Sequence, residues 1–90
     1  MLVLPAEITH EQAVACCRML TQGLRSQADA AVVADASGLQ RFDSSALAVL
    51  LELRREAASL GKTLAISRMP ARLRELATLY GVAGLFAAAP

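Results

Sequence analysis

Tryptophan is missing from this chain, and aromatic residues make up only 3% of it. Nothing here offers a platform on which nucleic-acid bases could stack. An excess of one charge is missing too: nine Lys and Arg stand against eight Asp and Glu, a formal net charge of +1. That excludes nucleic-acid binding by bulk electrostatics, so any partner must be recognised locally. The longest apolar run is Ala46 to Leu51, far short of the ~20 residues of a membrane span. Met1-Leu2-Val3-Leu4-Pro5 has no basic segment of the kind that opens a signal peptide. The only cysteines, Cys16 and Cys17, are adjacent; on a helix they point to different sides and cannot bridge. A reducing compartment and a cytoplasmic location are the expectation.

What is present is 56% hydrophobic residues in 90, enough for one small domain over residues 1–90 with a modest core. Leu2-Val3-Leu4 reads as a short strand closed by Pro5. Thr9 and Gln12 have capping-box spacing, with Ile8 and Ala13 placed as a hydrophobic staple. Ala13, Cys17, Leu20 and Leu24 then recur at helical steps, predicting a first helix over about 10–25. Ala30 to Ala34 is apolar without alternation, as in a central strand covered on both faces. A second helix follows Asp43-Ser44-Ser45, with Ala46, Leu50, Leu53, Ala57 and Leu60 as its core stripe and Gly61 as its stop. Thr63 to Ser67 is a third strand; Pro70 opens a third helix with Leu73, Leu76, Ala77 and Tyr80 inward and Gly81 as its stop. Val82, Leu85 and Phe86 fold back as an apolar tail, and Ala87 to Pro90 are expected to fray. This alternation predicts an α/β fold with a mostly parallel sheet and right-handed crossovers.

The second helix has more apolar residues than its core stripe needs. Ser44, Leu47, Ala48, Leu51 and Arg55 share a second face that begins at the serine. An apolar centre between a serine and an arginine has the anatomy of a small protein interface, although the same face could pack under a neighbouring element. Asp43 and Ser44 are both ordinary N-cap residues, and Ser45 adds a hydroxyl beyond what a cap requires. Hydrolase chemistry at Ser44 is not the expectation, because no G-x-S-x-G elbow is present and His10, the single histidine, stands at the exposed start of another helix. As a phosphoacceptor Ser44 is well placed: phosphate would gain from the helix N-terminus and put about −1.5 to −2 charges beside Leu47 and Leu51. Asp35 and Asp43 end neighbouring stretches at one sheet edge, an arrangement better suited to turn capping than to magnesium. Arg68, Arg72 and Arg74 around Pro70 could bind an anion, although three basic residues on an exposed face read first as solvated surface. No catalytic residue, metal ligand or cofactor site is predicted.

VVADASGLQRFDSSALAVLL, residues 32–51, resembles the signature of STAS domains: an apolar strand, Asp35 and Ser37 after it, then Asp43-Ser44-Ser45-Ala46-Leu47 opening a helix. Gly61-Lys62 before a strand and Leu76-Ala77-Thr78-Leu79-Tyr80-Gly81 in the last helix resemble the Mla-type branch of that family. The resemblance spans about Leu2 to Leu85. It implies a small STAS-like fold and a non-catalytic accessory subunit docked on the ATPase of an Mla-type phospholipid ABC transporter. It also implies indirect contact with the inner-membrane permease and a place at the periphery of that membrane. Ser44 would be the family's phosphorylatable or functionally required hydroxyl, with Asp43, Ser45, Leu47, Ala48, Leu51 and Arg55 around it as partner-binding residues. The alternative implied is an anti-sigma factor antagonist whose Ser44 is phosphorylated by a serine kinase. STAS domains usually open with a β-hairpin, so the N-terminal edge strand is expected to be shortened or absent here, with a homodimer through that edge as one consequence.

Overall fold

The computed structural model describes residues 1–88. Short strands β1 (Leu2–Val3) and β2 (Glu7–Ile8) lead into helix α1 (Ala13–Ser26), then strand β3 (Ala31–Asp35) and the two-residue β4 (Arg41–Phe42). Helix α2 (Ser44–Ser59), strand β5 (Thr63–Ser67), helix α3 (Ala71–Leu79), a 3-10 turn (Ala83–Leu85) and β6 (Ala87–Ala88) complete it. The main sheet has the order β1-β3-β5-β6 and a separate ladder joins β2 to β4. Every pairing is parallel. The expected α/β architecture with a short N-terminal edge strand is therefore present.

Because the strand order always steps the same way, right-handed crossovers put the helices on one face of the sheet. Burial follows that geometry. Leu2, Val32, Ala34 and Ile66 are buried beneath the helices, while Val3 is 65% exposed and Val33 and Ala65 are half-exposed on the other face. The expectation of a central strand covered on both faces is thus corrected: β3 is central but alternates in burial, as a strand with one open face must.

Helix ends follow local chemistry. Gly61 and Gly81 adopt φ of 71° and 73°, a region open to glycine at little cost. Each completes a Schellman motif: Lys62 N–H donates to Ala57 O and Gly61 N–H to Ala58 O after α2, and Val82 N–H to Ala77 O and Gly81 N–H to Thr78 O after α3. The start of α1 differs from expectation. Gln12 Oε1 accepts the Thr9 N–H at 3.2 Å, which is half of the predicted box. The Thr9 hydroxyl, however, also turns to Gln12 Oε1 at 2.9 Å instead of capping a backbone N–H. Residues 9–12 form a turn and regular helix begins at Ala13.

Details of the stripes shift as well. On α1 the buried residues are Cys16, Leu20 and Leu24, with Cys17 and Ala13 half-buried. Leu60, placed in the α2 stripe from sequence, is the helix C-cap and 42% exposed. Val82 and Phe86 pack on the core as expected, but Leu85 is exposed. Ala87 and Ala88 pair with Ala65 and Ile66 rather than fraying; residues 89–90 lie outside the described part. No described helix is long and apolar enough to cross a membrane.

Candidate functional site

The polar turn predicted to open α2 does so, with Asp43 as N-cap in extended conformation. Its Oδ1 accepts the Ser45 N–H at 2.8 Å, satisfying one of the free donors of the first helical turn. Its Oδ2 accepts the His10 N–H at 3.0 Å, across 33 residues of sequence. The same junction is sewn by the β2–β4 ladder and by Gln40 and Arg41 N–H groups donating to Ala6 O. The His10 N–H, and after it the Ser45 N–H, hold the Asp43 carboxyl below its ordinary pKa, because both bonds favour the ionised form. Asp43 therefore organises the site from within, although the sequence pattern grouped it with partner-facing residues. Sequence spacing alone does not reveal that His10 sits beside it.

Ser44 is the first residue of α2 and is exposed; its hydroxyl has no hydrogen-bond partner among the described residues. Ser45 is half-buried. With no acidic residue in the first turn of α2, Asp43 is the negative group that meets the helix dipole there.

The predicted second face of α2 divides in two. Leu47 is only 3% exposed and belongs to the core cluster, which corrects its placement on a free surface. The reason is that α2 packs at once against α1, β5 and α3, so its apolar arc is wider than one stripe. Ala48 is exposed and Leu51 half-exposed. Ser44, Leu47, Ala48 and Leu51 nevertheless line one open groove of about 360 Å³ together with Tyr80 and Val82. Leu47 forms its floor. Arg55 lies outside the groove, exposed and paired with Glu52 at 3.3 Å. Tyr80 was expected inside the α3 stripe, yet it is the C-cap residue and 59% exposed. Its part in the groove could not be read from helical periodicity, because the chain has already left the helix there.

The other candidates resolve simply. Asp35 Oδ1 accepts the Ser37 N–H at 2.9 Å, the capping of a turn, and this bond chiefly lowers its carboxyl pKa. Among the described residues no group of three His, Cys, Asp or Glu side chains is placed to hold a metal. Arg68, Arg72 and Arg74 are exposed. The groove carries no charged residue and two hydroxyl-bearing ones, Ser44 and Tyr80.

Comparison with known proteins adds to this geometry. Residues 1–87 match the family described as Mlab, STAS domain. No curated protein matches the sequence. Among solved structures, the chain is similar to the anti-sigma factor antagonist SpoIIAA in its unphosphorylated form, with a TM-score of 0.72 and 16% identity. That likeness covers 98% of this chain and 76% of the other and bears on the fold alone.

Proposed function

Because the chain belongs to the STAS domain family, matched over residues 1–87, we propose that it is a non-catalytic accessory subunit that binds and regulates the ATPase of an Mla-type phospholipid ABC transporter. Its role is to hold that ATPase in an assembled, active form during the lipid traffic that maintains outer-membrane asymmetry. The permease is reached only through the ATPase, and the subunit sits at the cytoplasmic side of the inner membrane as part of the complex. The observation that carries this reading is the uncharged groove at the start of α2, beside an unpartnered Ser44 hydroxyl. Exposed apolar area of this kind is what a small interface buries.

The test is co-purification of the tagged subunit with the ATPase and permease of an Mla-type transporter. Wild type recovers both, and Ala48→Arg, which puts a charge into the groove without touching the core, recovers neither. Full recovery by the variant would remove the groove from the interface.

A second reading has its own support in the exposed serine at the N-terminus of α2. In it a serine kinase phosphorylates Ser44, and charge at the groove releases a regulatory partner. Phosphate on Ser44, found by mass spectrometry of the protein from cells together with a bound kinase, favours the switch. An unmodified Ser44 in a complex with the ATPase favours the transporter.

A further inference from the structure

Helix α2 sorts its charges by side. Its acids Glu52 and Glu56 line the groove toward α1, and both are paired: Glu56 with Arg25 at 2.6 Å and Glu52 with Arg55 at 3.3 Å. Arg54 has no ion-pair partner among the described residues. It lines a different groove, of about 390 Å³, shared with the start of β5 and the turn after α3. Lys62 joins it there, and no acidic residue does. The groove toward α1 holds both signs of charge and the groove beside Ser44 holds neither. In a chain whose net charge is +1, two cations without an acid are a local excess, and such an excess attracts anions.

Lys62 is fixed in place. Its Nζ donates to Gln27 O at 2.6 Å and to Asp29 O at 2.8 Å, at the end of α1 where the helix dipole favours a cation. An ammonium carries three N–H donors, so one is left over. Thr63, exposed beside it, adds a hydroxyl to the lining. The rest of the wall is apolar. Leu64 is half-buried against the core, Leu85 is 43% exposed, and Ala58 and Ala87 complete that part. Gly84 also lines the groove, and a Cβ added there would meet nothing within 4 Å. A volume of about 390 Å³ lies within the range of small-molecule sites, roughly 300–1,000 Å³.

We propose that this groove binds a small amphiphilic anion, its phosphate or carboxylate head against Arg54, Lys62 and Thr63 and a short aliphatic body against Leu64 and Leu85. Hydrogen bonds to an ionised head are the strong ones, and the body removes the Leu85 side chain from water. An acidic peptide would satisfy the cations but would leave the apolar lining uncovered. Arg54 is the residue to test, because Lys62 also holds the end of α1. The inference is independent of the surface at Ser44 and stands whether or not that surface docks an ATPase.

The experiment is titration of the isotope-labelled protein, followed by amide chemical shifts, with octyl phosphate, octanoate, octanol, inorganic phosphate and a short polyglutamate peptide. Octyl phosphate or octanoate, or both, shift the amides of Thr63, Gly84 and Leu85, and the tighter of the two identifies the head. Octanol and inorganic phosphate bind about tenfold more weakly or less, and added salt weakens the amphiphile. Arg54→Gln lowers affinity about tenfold, and Gly84→Glu, which puts a carboxylate into open space, abolishes binding, while both keep the wild-type thermal midpoint. Octanol binding as tightly as the charged amphiphiles overturns the role of the cations, and inorganic phosphate doing so overturns that of the apolar lining. Wild-type affinity in both variants, shifts confined to another groove, or binding of the peptide alone overturns the site.

Discussion

The two flanks of α2 are finished in opposite ways. Toward α1, a groove of about 480 Å³ is lined by Val14, Cys17 and Thr21 together with charged residues of both helices. It is spanned by an ion pair, Arg25 Nη2 to Glu56 Oε1 at 2.6 Å. Toward Tyr80 and Val82 the groove is smaller and carries no charge. Volume alone does not distinguish the two, since the larger groove is the charged one. Residue type does: a flank whose polar groups meet each other and water is complete in the free protein. The uncharged flank leaves apolar side chains facing solvent in the free protein.

The comparison can be broken first at the core beneath both flanks. Leu47→Asp should prevent folding, because it buries an unpaired charge, and circular dichroism would show the loss. Leu53, fully buried in the same helix, should cost about 2–5 kcal/mol in urea unfolding when cut to Ala. A folded, stable Leu47→Asp protein would return Leu47 to the surface and dissolve the distinction between floor and wall. Next comes a matched insertion of charge. Val14→Arg on the charged flank should leave affinity for the ATPase within about twofold, whereas the equivalent change on the other flank abolishes binding; equal effects would erase the difference.

Acid should act on the junction that sets the α2 N-terminus. Asp43 has a lowered pKa in the folded state, so its contribution is complete above the ordinary carboxylate pKa of about 3.8. It is lost as pH falls through the lowered value. In Asp43→Asn, neutral-pH stability should drop and the acid limb of the unfolding profile should become shallower. An unchanged profile would mean that the His10 and Ser45 bonds do not distinguish the ionised form. The smallest effect belongs to the charged flank: Arg25→Ala should cost no more than about 1 kcal/mol, because that pair is largely exposed. A larger loss in thermal unfolding would show that the flank depends on its ion pair.

The order of the main elements was legible because it rests on local signals. Gly61 and Gly81 end helices by their backbone freedom, Asp43 starts one by its carboxylate, and the steps of three and four put Leu50, Leu53, Leu73 and Ala77 inside. What escaped depended on contacts between distant segments. The β2–β4 ladder has two residues on each side, too few for any pattern. Cys16 rather than Cys17 is buried, because where α1 lies against the sheet, and not periodicity, decides between adjacent positions. Leu47 falls outside the single core stripe that helical spacing marks, yet it is buried because α2 packs against α1, β5 and α3. Half of the groove was legible as the run from Ser44 to Leu51; the other half, Tyr80 and Val82, lies beyond the end of a helix where periodicity gives no information.

The bond from Asp43 to the His10 N–H and the wall supplied by Tyr80 have a joint consequence for recognition. The surface around Ser44 is discontinuous in sequence: its alignment comes from the first turn region of the chain and its second wall from the last helix. A peptide corresponding to α2 alone would carry the serine and the leucines and still present no groove. Any molecule that bound this surface would therefore register that the segments around Asp43 and Tyr80 have folded together.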